Sequence, residues 1–204
     1  MHMATRIGPK TKKARRAGIS LQPKDDKILT KRNFAPGMHG QSRRRISGYG
    51  QQLLEKQKAK WMYGIFERQF ANYYNKAAAK QGETGKQLLT YLELRLDNII
   101  FRLGFASTRP QARQLVSHGF VEVNAKKVNI PSYEVKIGDV ITIRKSKQQS
   151  KLVQERKLFL AKYKVPSWLH LEQASLTGKV IDTPDLTENL ALINPQLIIE
   201  HYSR

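Results

Sequence analysis

The sequence predicts an α+β fold, and three patterns in the middle of the chain support this prediction. Apolar residues recur at helical spacing over residues 88–103, and Gly104 is expected to end that helix. A second, shorter helical pattern covers residues 108–119. Strand-like alternation follows in residues 120–123. Residues 133–137 and 140–143, separated by a Gly138-Asp139 turn, form a second two-strand pattern. Two helices followed by a small antiparallel sheet, within about sixty residues, indicate one compact unit.

Residues 1–43 precede this unit and are predicted to form an extended basic arm. They are rich in Lys, Arg, Gly and Pro and show no sustained period. Residues 1–60 carry 16 Lys/Arg against 3 Asp/Glu, whereas residues 61–204 carry 21 against 13. Because the positive charges of the arm repel one another in the isolated chain, we expect the arm to become ordered only on a polyanion such as a nucleic acid, or to stay mobile without it.

The next segment, residues 51–81, is predicted to be one long helix or a helix broken by a bend. Gly64 lies inside it, where glycine costs a helix about 1 kcal/mol relative to alanine. The apolar residues follow one side of the helix and are interpreted as core rather than as a stacking platform. They are Leu54, Trp61, Met62, Ile65, Phe66, Phe70, Tyr73, Tyr74 and Ala77.

The helix over residues 108–119 has signals at both ends. Thr108 can cap its N-terminus, Pro110 suits the first turn, and Gln111 stands where a capping box needs it. Gly119 can take the left-handed conformation that ends a helix. The apolar residues on one face are Ala112, Leu115 and Val116. The polar residues on the other sides are Arg109, Arg113 and Gln114. The helix is therefore expected to bury an aliphatic stripe and to present guanidinium and amide groups to a partner.

The C-terminal part of the chain predicts a helix followed by short strands. The helix is expected from about residue 152 to residue 164, because Pro166 prevents its continuation. The apolar run in residues 193–204 is interpreted as a closing strand. Between them, a strand pair is indicated by Leu169, Leu171, Leu176 and Val180.

Composition narrows the class of partner. The net charge of +21 indicates a polyanionic partner, and nucleic acid fits this requirement. Hydrophobic residues make up 40% of the sequence, which is enough for folded cores. The absence of cysteine excludes disulfides and thiolate zinc sites and favours the cytosol. No apolar run reaches the length of a membrane span, and the five histidines are too scattered to predict a metal site.

Several stretches resemble a known family, that of bacterial small-subunit ribosomal protein S-four. The stretches that resemble its RNA-binding module, the alpha-L motif, are Leu94-Arg-Leu-Asp-Asn98, Arg102-Leu-Gly-Phe-Ala106, Gln111-Ala-Arg-Gln-Leu-Val-Ser-His118 and Val128-Asn-Ile-Pro-Ser-Tyr133. The other similar stretches are residues 34–40, 43–50, 49–58, 67–70 and 193–204. Many family members carry a cysteine-ligated zinc. Because this chain has no cysteine, it resembles the zinc-free form of the family, and no cofactor or metal is implied.

The resemblance implies an arrangement that periodicity alone does not show. Residues 44–90 and residues 152–204 would form a discontinuous, mostly helical body. Residues 91–151 would form the inserted alpha-L RNA-binding module, with its two helices and small antiparallel sheet. The basic arm, residues 1–43, would precede both.

The resemblance also implies a structural constituent of the small ribosomal subunit, in the cytoplasm. Such a protein is a primary binder of small-subunit ribosomal RNA and joins a multi-helix junction early in assembly. Its implied neighbours are ribosomal proteins S-three and S-five and the mRNA, beside the channel through which the mRNA enters. Family members are also implicated in translational accuracy and in repression of their own mRNA. No small-molecule substrate and no membrane are implied.

Candidate RNA contacts lie both before the module and within it. Three consecutive arginines lie in a Gly-flanked loop, where planar guanidinium groups suit phosphate oxygens. Tyr49 fits either base stacking or a core position. The candidates before the module are Arg43, Arg44, Arg45, Tyr49, Gln52, Lys56, Lys58 and Arg68. Those in the module are Arg109, Gln111, Arg113, Gln114, His118, Lys126 and Lys127.

One turn of the module departs from the family pattern. Family members usually have Asn-Gly where this chain has Asn124-Ala125. Because a left-handed alanine is strained, this turn is expected to be wider or shifted, and the positions of Lys126 and Lys127 depend on it.

An enzyme is the competing class, because the alpha-L module also occurs as an appendage on pseudouridine synthases and on some aminoacyl-tRNA synthetases. Pseudouridine synthases carry their catalytic aspartate in a tripeptide like Arg95-Leu96-Asp97. Here, however, the tripeptide lies inside a helical leucine pattern, where an aspartate is usually structural. No Thr-Ser-Gly follows it, and the remaining chain leaves no room for a separate catalytic domain. The sequence therefore predicts a protein that is not an enzyme.

Overall fold

The computed structural model describes residues 8–42, 45–160 and 163–204. Over these residues the chain forms eleven helices and five strands. The helices are α1 (Lys10–Ala17), α2 (Pro23–Lys31), α3 (Gly48–Tyr63), α4 (Glu67–Ala78), α5 (Thr84–Glu93), α6 (Leu96–Arg102), α7 (Arg109–Ser117), α8 (Lys145–Gln148), α9 (Lys151–Leu160), α10 (Thr187–Leu192) and α11 (Pro195–Tyr202). The strands are β1 (Val121–Val123), β2 (Lys126–Lys127), β3 (Val140–Ile143), β4 (Leu169–Glu172) and β5 (Thr177–Val180). The predicted α+β class is confirmed. In the described part of the chain, no helix has both the length and the apolar character to cross a membrane.

The chain divides into two compact units. The body comprises the described residues up to Gly85 together with Glu188–Arg204. The module comprises Lys86–Thr187. Residues 152–187, which the resemblance assigns to the body, lie in the module instead, because β4 and β5 continue the sheet to which β3 belongs.

In the body, the long helical pattern forms two helices, α3 and α4. Gly64 follows α3 with a φ of +66°, the left-handed conformation that glycine adopts at helix ends. The bend, one of the two predicted alternatives, therefore lies at this glycine. Phe66 precedes α4 and is 37% exposed, so this residue of the predicted stripe is not core. The buried members of the stripe are Met62, Ile65, Phe70 and Ala77.

The C-terminal apolar run forms helix α11, and the prediction of a closing strand is wrong. Asn194 Oδ1 accepts a hydrogen bond from the backbone N–H of Gln196 at 3.0 Å, and Pro195 occupies the first turn. These residues start a helix, and that helix packs along α3. Across this contact Gln52 Nε2 donates to Glu200 Oε2 at 2.9 Å.

The N-terminal arm contains two helices where an extended chain is predicted. α1 ends at Gly18, which has a φ of +68°, and α2 begins at a proline. Asp25 is fully buried and accepts hydrogen bonds from Thr11 Oγ1 at 2.8 Å and from the backbone N–H of Leu21 at 3.3 Å. The extended-arm prediction is therefore wrong for residues 10–31, because turn residues and a buried carboxylate hold the two helices together.

The structure has two helices, α5 and α6, where the sequence predicts the first helix of the module. The interruption lies at Leu94 and Arg95. Arg95 has an extended backbone (φ −68°, ψ 137°) and forms an isolated antiparallel bridge with Glu134. The backbone of residues 133–135 pairs with this interruption through hydrogen bonds of 2.9 and 3.0 Å. The strand expected at residues 133–137 is consequently reduced to this bridge, because its backbone partners lie between two helices.

The sheet has the strand order β2-β1-β3-β5-β4 with antiparallel pairs throughout. The strand pair predicted from the C-terminal apolar residues is β4 and β5. Ile141 of β3 lies opposite Val123 of β1 and Gly178 of β5. A Cβ at Gly178 would overlap the side chain of Leu103, so the end of α6 lies directly against the sheet. Residues of α6, α7 and the sheet form one hydrophobic core in the module.

The turn between β1 and β2 is tight, and the prediction of a wider turn is wrong. Val123 pairs with Lys126, so the loop has two residues, Asn124 (φ +49°) and Ala125 (φ +63°). Positive φ at both positions is typical of a type I′ hairpin turn. Asn124 bonds to the backbone of Val140 through its N–H at 2.8 Å and its Oδ1 at 2.9 Å. These bonds to the neighbouring strand hold the turn although Ala125 is strained.

Candidate nucleic-acid interface

Helix α7 is capped and oriented as predicted. Thr108 Oγ1 accepts a hydrogen bond from the Gln111 N–H at 3.4 Å. Gln111 Oε1 accepts hydrogen bonds from the N–H and the hydroxyl of Ser107 at 2.8 and 2.6 Å. Gln111 therefore completes the helix cap, which is a structural use of a side chain predicted to contact RNA. The buried residues of α7 are Ala112, Leu115 and Val116, as the spacing predicts.

Two arginines of α7 are held by side chains of α6. Arg109 Nε donates to Asn98 Oδ1 at 2.8 Å, and the Arg109 guanidinium carbon lies 4.6 Å from the centre of the Phe101 ring. Arg113 Nη1 lies 3.9 Å from Asp97 Oδ2. Both arginine side chains are partly exposed. A guanidinium that is already oriented at a partly exposed position can bind phosphate with a smaller loss of side-chain entropy.

The C-terminal end of α7 brings further cations together. Gln114 and His118 are exposed, as are Lys126 and Lys127 of β2. Lys127 lies across the end of α7, because a Cβ at Gly119 would be 2.7 Å from Lys127 Cε. Of the module residues that the sequence predicts to contact RNA, Lys127 thus lies beside the C-terminal end of α7, whereas Arg109 and Gln111 lie in its first turn.

Sequence reasoning missed two cations beside this group. Arg144 Nη1 donates to the carbonyl oxygen of Gly119 at 3.3 Å, and Lys147 Nζ lies 5.3 Å from the centre of the Phe120 ring. The basic run of residues 144–147, directly after the apolar run of β3, was the available signal. The α7 surface is defined by Arg109, Arg113, Gln114, His118, Lys126, Lys127, Arg144 and Lys147.

Asp97, the residue that suggests pseudouridine synthase chemistry, is part of a buried ion pair. Arg95 Nε and Nη2 donate to its carboxylate at 3.0 and 2.7 Å. Arg95 is 1% exposed and Asp97 is 4% exposed. A buried carboxylate that is paired within its own module has the environment of a structural residue.

In the body, two predicted RNA contacts are inside the protein. Gln52 is 7% exposed and bonds to Glu200 of α11. Lys56 is 8% exposed, pairs with Glu67 at 2.9 Å, and lies 5.3 Å from the Tyr202 ring centre. These two side chains have little accessible surface because α11, which the sequence suggested to be a strand, packs against this side of α3.

Glu67 is the centre of an ion cluster in the body. Its carboxylate accepts hydrogen bonds from Lys56, from Lys60 and from the Tyr202 hydroxyl, the last at 2.7 Å. Burial raises the pKa of the Glu67 carboxyl, but the hydrogen bonds from Lys60, Tyr202 and Lys56 outweigh it and lower that pKa to about 2. Burial, followed by the hydrogen bond to Glu67, raises the pKa of the Tyr202 phenol. The cluster therefore connects α3, α4 and α11 through charge as well as packing.

The other predicted contacts of α3 and α4 differ in their environment. Lys58 pairs with Glu55 at 2.6 Å, and its side chain is only 18% exposed. Arg68 of α4 is exposed. Of these two cations, Arg68 has the accessibility that an RNA contact needs.

Three consecutive arginines precede α3 in the sequence. Arg45 is exposed, whereas Arg43 and Arg44 lie outside the described residues. Tyr49 is 51% exposed, and the guanidinium carbon of Arg204 lies 5.9 Å from its ring centre. Of the two readings that the sequence allows for Tyr49, this exposed ring beside a cation fits stacking on a base.

A second set of exposed cations lies on the arm helices. Lys12 and Arg16 are exposed one turn apart on α1, and Lys24 and Lys27 are exposed on α2. Like charges at this spacing weaken a helix slightly, and a bound polyanion would remove the repulsion. The sequence did not identify these positions, because the faces of a helix cannot be assigned in a segment that is predicted to be extended.

Comparison with known proteins identifies two family matches. Residues 5–93 match the family described as "Ribosomal protein S4/S9 N-terminal domain". Residues 94–141 match the family described as "S4 domain". The second match begins at the interruption between α5 and α6 and covers α6, α7 and the strands β1 and β2.

Full-length relatives give the same result. The chain is 50% identical over 208 residues to the small ribosomal subunit protein uS4 of Roseiflexus castenholzii, and 99% of this chain and 100% of the relative are covered. It is 49% identical over 207 residues to uS4 of Chloroflexus aurantiacus, with the same coverage. It is 48% identical over 209 residues to uS4 of Acidobacterium capsulatum, again with 99% and 100% covered.

Proposed function

This chain belongs to the uS4 family of small ribosomal subunit proteins, and we propose that it is a structural component of the small subunit that binds ribosomal RNA. The α7 surface is the observation that supports RNA binding by this particular chain. It groups arginine, lysine, histidine and glutamine side chains along α7 and beyond its C-terminal end, and the other face of this helix is buried core. Folded RNA displays phosphates and 2′-hydroxyls, which are the groups that such side chains bind.

The finer proposal is that the protein binds a multi-helix RNA junction early in assembly of the subunit. The net charge of +21 supports extensive phosphate contact. The body and the module each expose cations, so each can bind its own segment of RNA. In the body these are the cations of α1 and α2, together with Arg45 and Arg68.

We further propose that Arg43, Arg44, Arg45 and Tyr49 lie near the channel through which mRNA enters, with proteins S-three and S-five as neighbours. The exposed positions of Arg45 and Tyr49 support contact with a single-stranded message, because a cation and an aromatic ring together bind backbone and base. Effects on translational accuracy and repression of the protein's own mRNA belong to the same proposal. Both would use RNA-binding surfaces that the chain already presents.

The environment of Asp97 does not support the enzymatic alternative. The family is one of structural ribosomal proteins, and the Asp97 carboxylate is paired with the buried Arg95 side chain. We therefore expect no conversion of uridine to pseudouridine by the purified protein. Product that forms with the wild type and disappears in Asp97→Asn would contradict this.

Sedimentation and RNA binding test the proposed function together. The native protein is expected to travel with small ribosomal subunits on a sucrose gradient. The purified protein should also bind small-subunit RNA more tightly than a plain duplex of the same length. A Lys126→Ala/Lys127→Ala variant, altered only at exposed positions, should keep the melting temperature and lose affinity. Migration away from the subunit, with equal affinity for both RNAs, would refute the proposal.

A further inference from the structure

A buried amide lies directly behind one arginine of the α7 surface. Asn98 is 2% exposed, and its Nδ2 donates to the carbonyl oxygen of Glu93 at 3.1 Å and to Glu93 Oε2 at 2.8 Å. Its Oδ1 accepts the hydrogen bond from Arg109 Nε at 2.8 Å. We infer that Asn98 is a positioning residue, which fixes the direction in which Arg109 meets RNA. The inference rests on the proposed role of the α7 surface in RNA binding.

The orientation of the Asn98 amide is determined from both of its sides. An asparagine amide has one donor end and one acceptor end. If it were turned over, Oδ1 would face the two oxygens of Glu93, and Nδ2 would face the Nε–H of Arg109. Both contacts would then be repulsive. The amide therefore has a single favourable orientation, and its acceptor points towards the arginine.

The other end of this chain of hydrogen bonds is also fixed. Glu93 is 1% exposed, and its carboxylate accepts from Arg102 Nε at 3.0 Å and from Arg102 Nη2 at 3.3 Å. A buried carboxylate held by a two-pronged guanidinium contact has little freedom to rotate. Glu93 thus gives Asn98 a rigid support, which is what a positioning residue requires.

Arg109 is restrained in two independent ways. The Asn98 bond holds its Nε, and the Phe101 ring centre lies 4.6 Å from its guanidinium carbon. The bond to Asn98 uses one of the five N–H donors of the guanidinium. An arginine ordered before RNA arrives loses less side-chain entropy on binding. Removing the Asn98 acceptor should weaken RNA binding without changing the charge of the surface.

The positioning effect is assigned to the pair of Asn98 and Arg109, which is joined by a hydrogen bond of 2.8 Å. Arg113 contacts a different residue of α6, because its Nη1 lies 3.9 Å from Asp97 Oδ2.

A double-mutant cycle tests the inference. The dissociation constant for a junction RNA and its dependence on salt are measured for the wild type, Asn98→Ala, Arg109→Ala and the double variant. Asn98→Ala should weaken binding by about fivefold to tenfold, because the contact it removes orders a charged donor. The salt slope should stay at the wild-type value, since the number of cations is unchanged. In the Arg109→Ala background, the same change at Asn98 should have no further effect.

Ile99→Val is the matched control, because Ile99 is the next residue of α6 and its fully buried aliphatic side chain has no hydrogen-bonding atom. Any effect of this variant on RNA binding should be the same in both backgrounds. An Asn98→Ala loss that is also equal in both backgrounds would mean that Asn98 acts only through stability, and the inference would be overturned. Normal binding by Arg109→Ala would overturn it as well.

A measurement on the free wild-type protein covers the case in which Asn98→Ala does not fold. The Nε–H proton of Arg109 should exchange slowly with water, because it is held by Asn98. Fast exchange of that proton would overturn the inference even if RNA binding is intact. Absence of RNA binding by the wild type would instead refute the proposed function, and the inference would fall with it.

Discussion

At the residue scale, Arg113 and Leu115 show how closely binding and folding residues alternate on α7. Arg113 is partly exposed, whereas Leu115 is 4% exposed and belongs to the hydrophobic core of the module. Arg113→Ala is therefore expected to weaken RNA binding with little change in melting temperature. Leu115→Ala should lower stability by about 2–5 kcal/mol, because it removes buried methyl groups and leaves a cavity. Thermal unfolding and RNA binding of both variants check this, and equal losses of melting temperature would show that the faces are misassigned.

Glu67 gives a residue-scale prediction about pH. Its pKa is lowered from 4.5 to about 2 in the folded protein, so the folded state favours the ionised form. A carboxyl of this kind contributes stability above its unfolded pKa and loses that contribution as the pH falls through the folded value. Glu67→Gln should thus lower the melting temperature most above pH 4.5, and the difference from the wild type should shrink towards pH 2.

Glu155→Gln is the control for this experiment, because Glu155 is an exposed glutamate of α9. It should change the melting temperature little at either end of the pH range, as expected for an exposed side chain. A constant difference between Glu67→Gln and the wild type, from neutral pH down to pH 2, would contradict the ion cluster.

At the element scale, the hairpin of β1 and β2 carries backbone strain in one residue. Ala125 has a φ of +63°, a conformation that costs a non-glycine residue about 1–2 kcal/mol. Ala125→Gly should remove this strain, partly offset by about 0.4–1 kcal/mol from the more flexible unfolded chain. The expected result is a small rise in melting temperature, with unchanged positions of Lys126 and Lys127.

The neighbouring residue of the turn supplies the control. Asn124→Ala removes the side-chain hydrogen bonds to Val140 and to Asp139, which are 2.9 and 2.8 Å long. It also places alanine at a φ of +49°. This variant should therefore lower the melting temperature, and a fall in both variants would mean that the turn is not strained at Ala125.

At the scale of the whole molecule, the charge distribution predicts how salt acts on RNA binding. The arginine loop of residues 43–45 lies in the strongly basic part of the chain. Each neutralised phosphate contributes about 0.7–0.9 to the slope of log affinity against log salt concentration. Replacing Arg43, Arg44 and Arg45 by glutamine should flatten that slope by about two if two or three of them bind phosphate, and should weaken different RNAs alike.

Lys179→Gln is the matched control, because Lys179 is an exposed cation of β5 outside the proposed RNA surfaces. It should leave the slope unchanged. Salt titrations on a junction RNA and on a plain duplex check both variants. A wild-type salt slope in the triple variant would show that these three arginines do not bind phosphate.

Local chemistry in the sequence was enough to predict α7 and its orientation. Thr108 and Gly119 mark its ends, and the spacing of Ala112, Leu115 and Val116 identifies its buried face. The same reasoning predicted the β4–β5 pair and a polyanionic partner, since alternation and net charge are also readable without tertiary information. The family motifs in residues 94–133 pointed to uS4, and the matches over residues 5–93 and 94–141 confirm the family.

Tertiary packing decided which side chains are accessible and what each one contacts. Gln52 and Glu200 are 148 positions apart in the chain, and no local pattern predicts that α11 will bury this face of α3. Partly buried hydrogen bonds likewise connect the two arm helices and join Asn98 to Arg109. A helix period depends on residues three or four positions apart, whereas burial depends on which distant segment packs against the helix. The sequence by itself therefore determined the family, the charge and the faces of α7, and only the folded chain decided that Gln52 and Lys56 are buried.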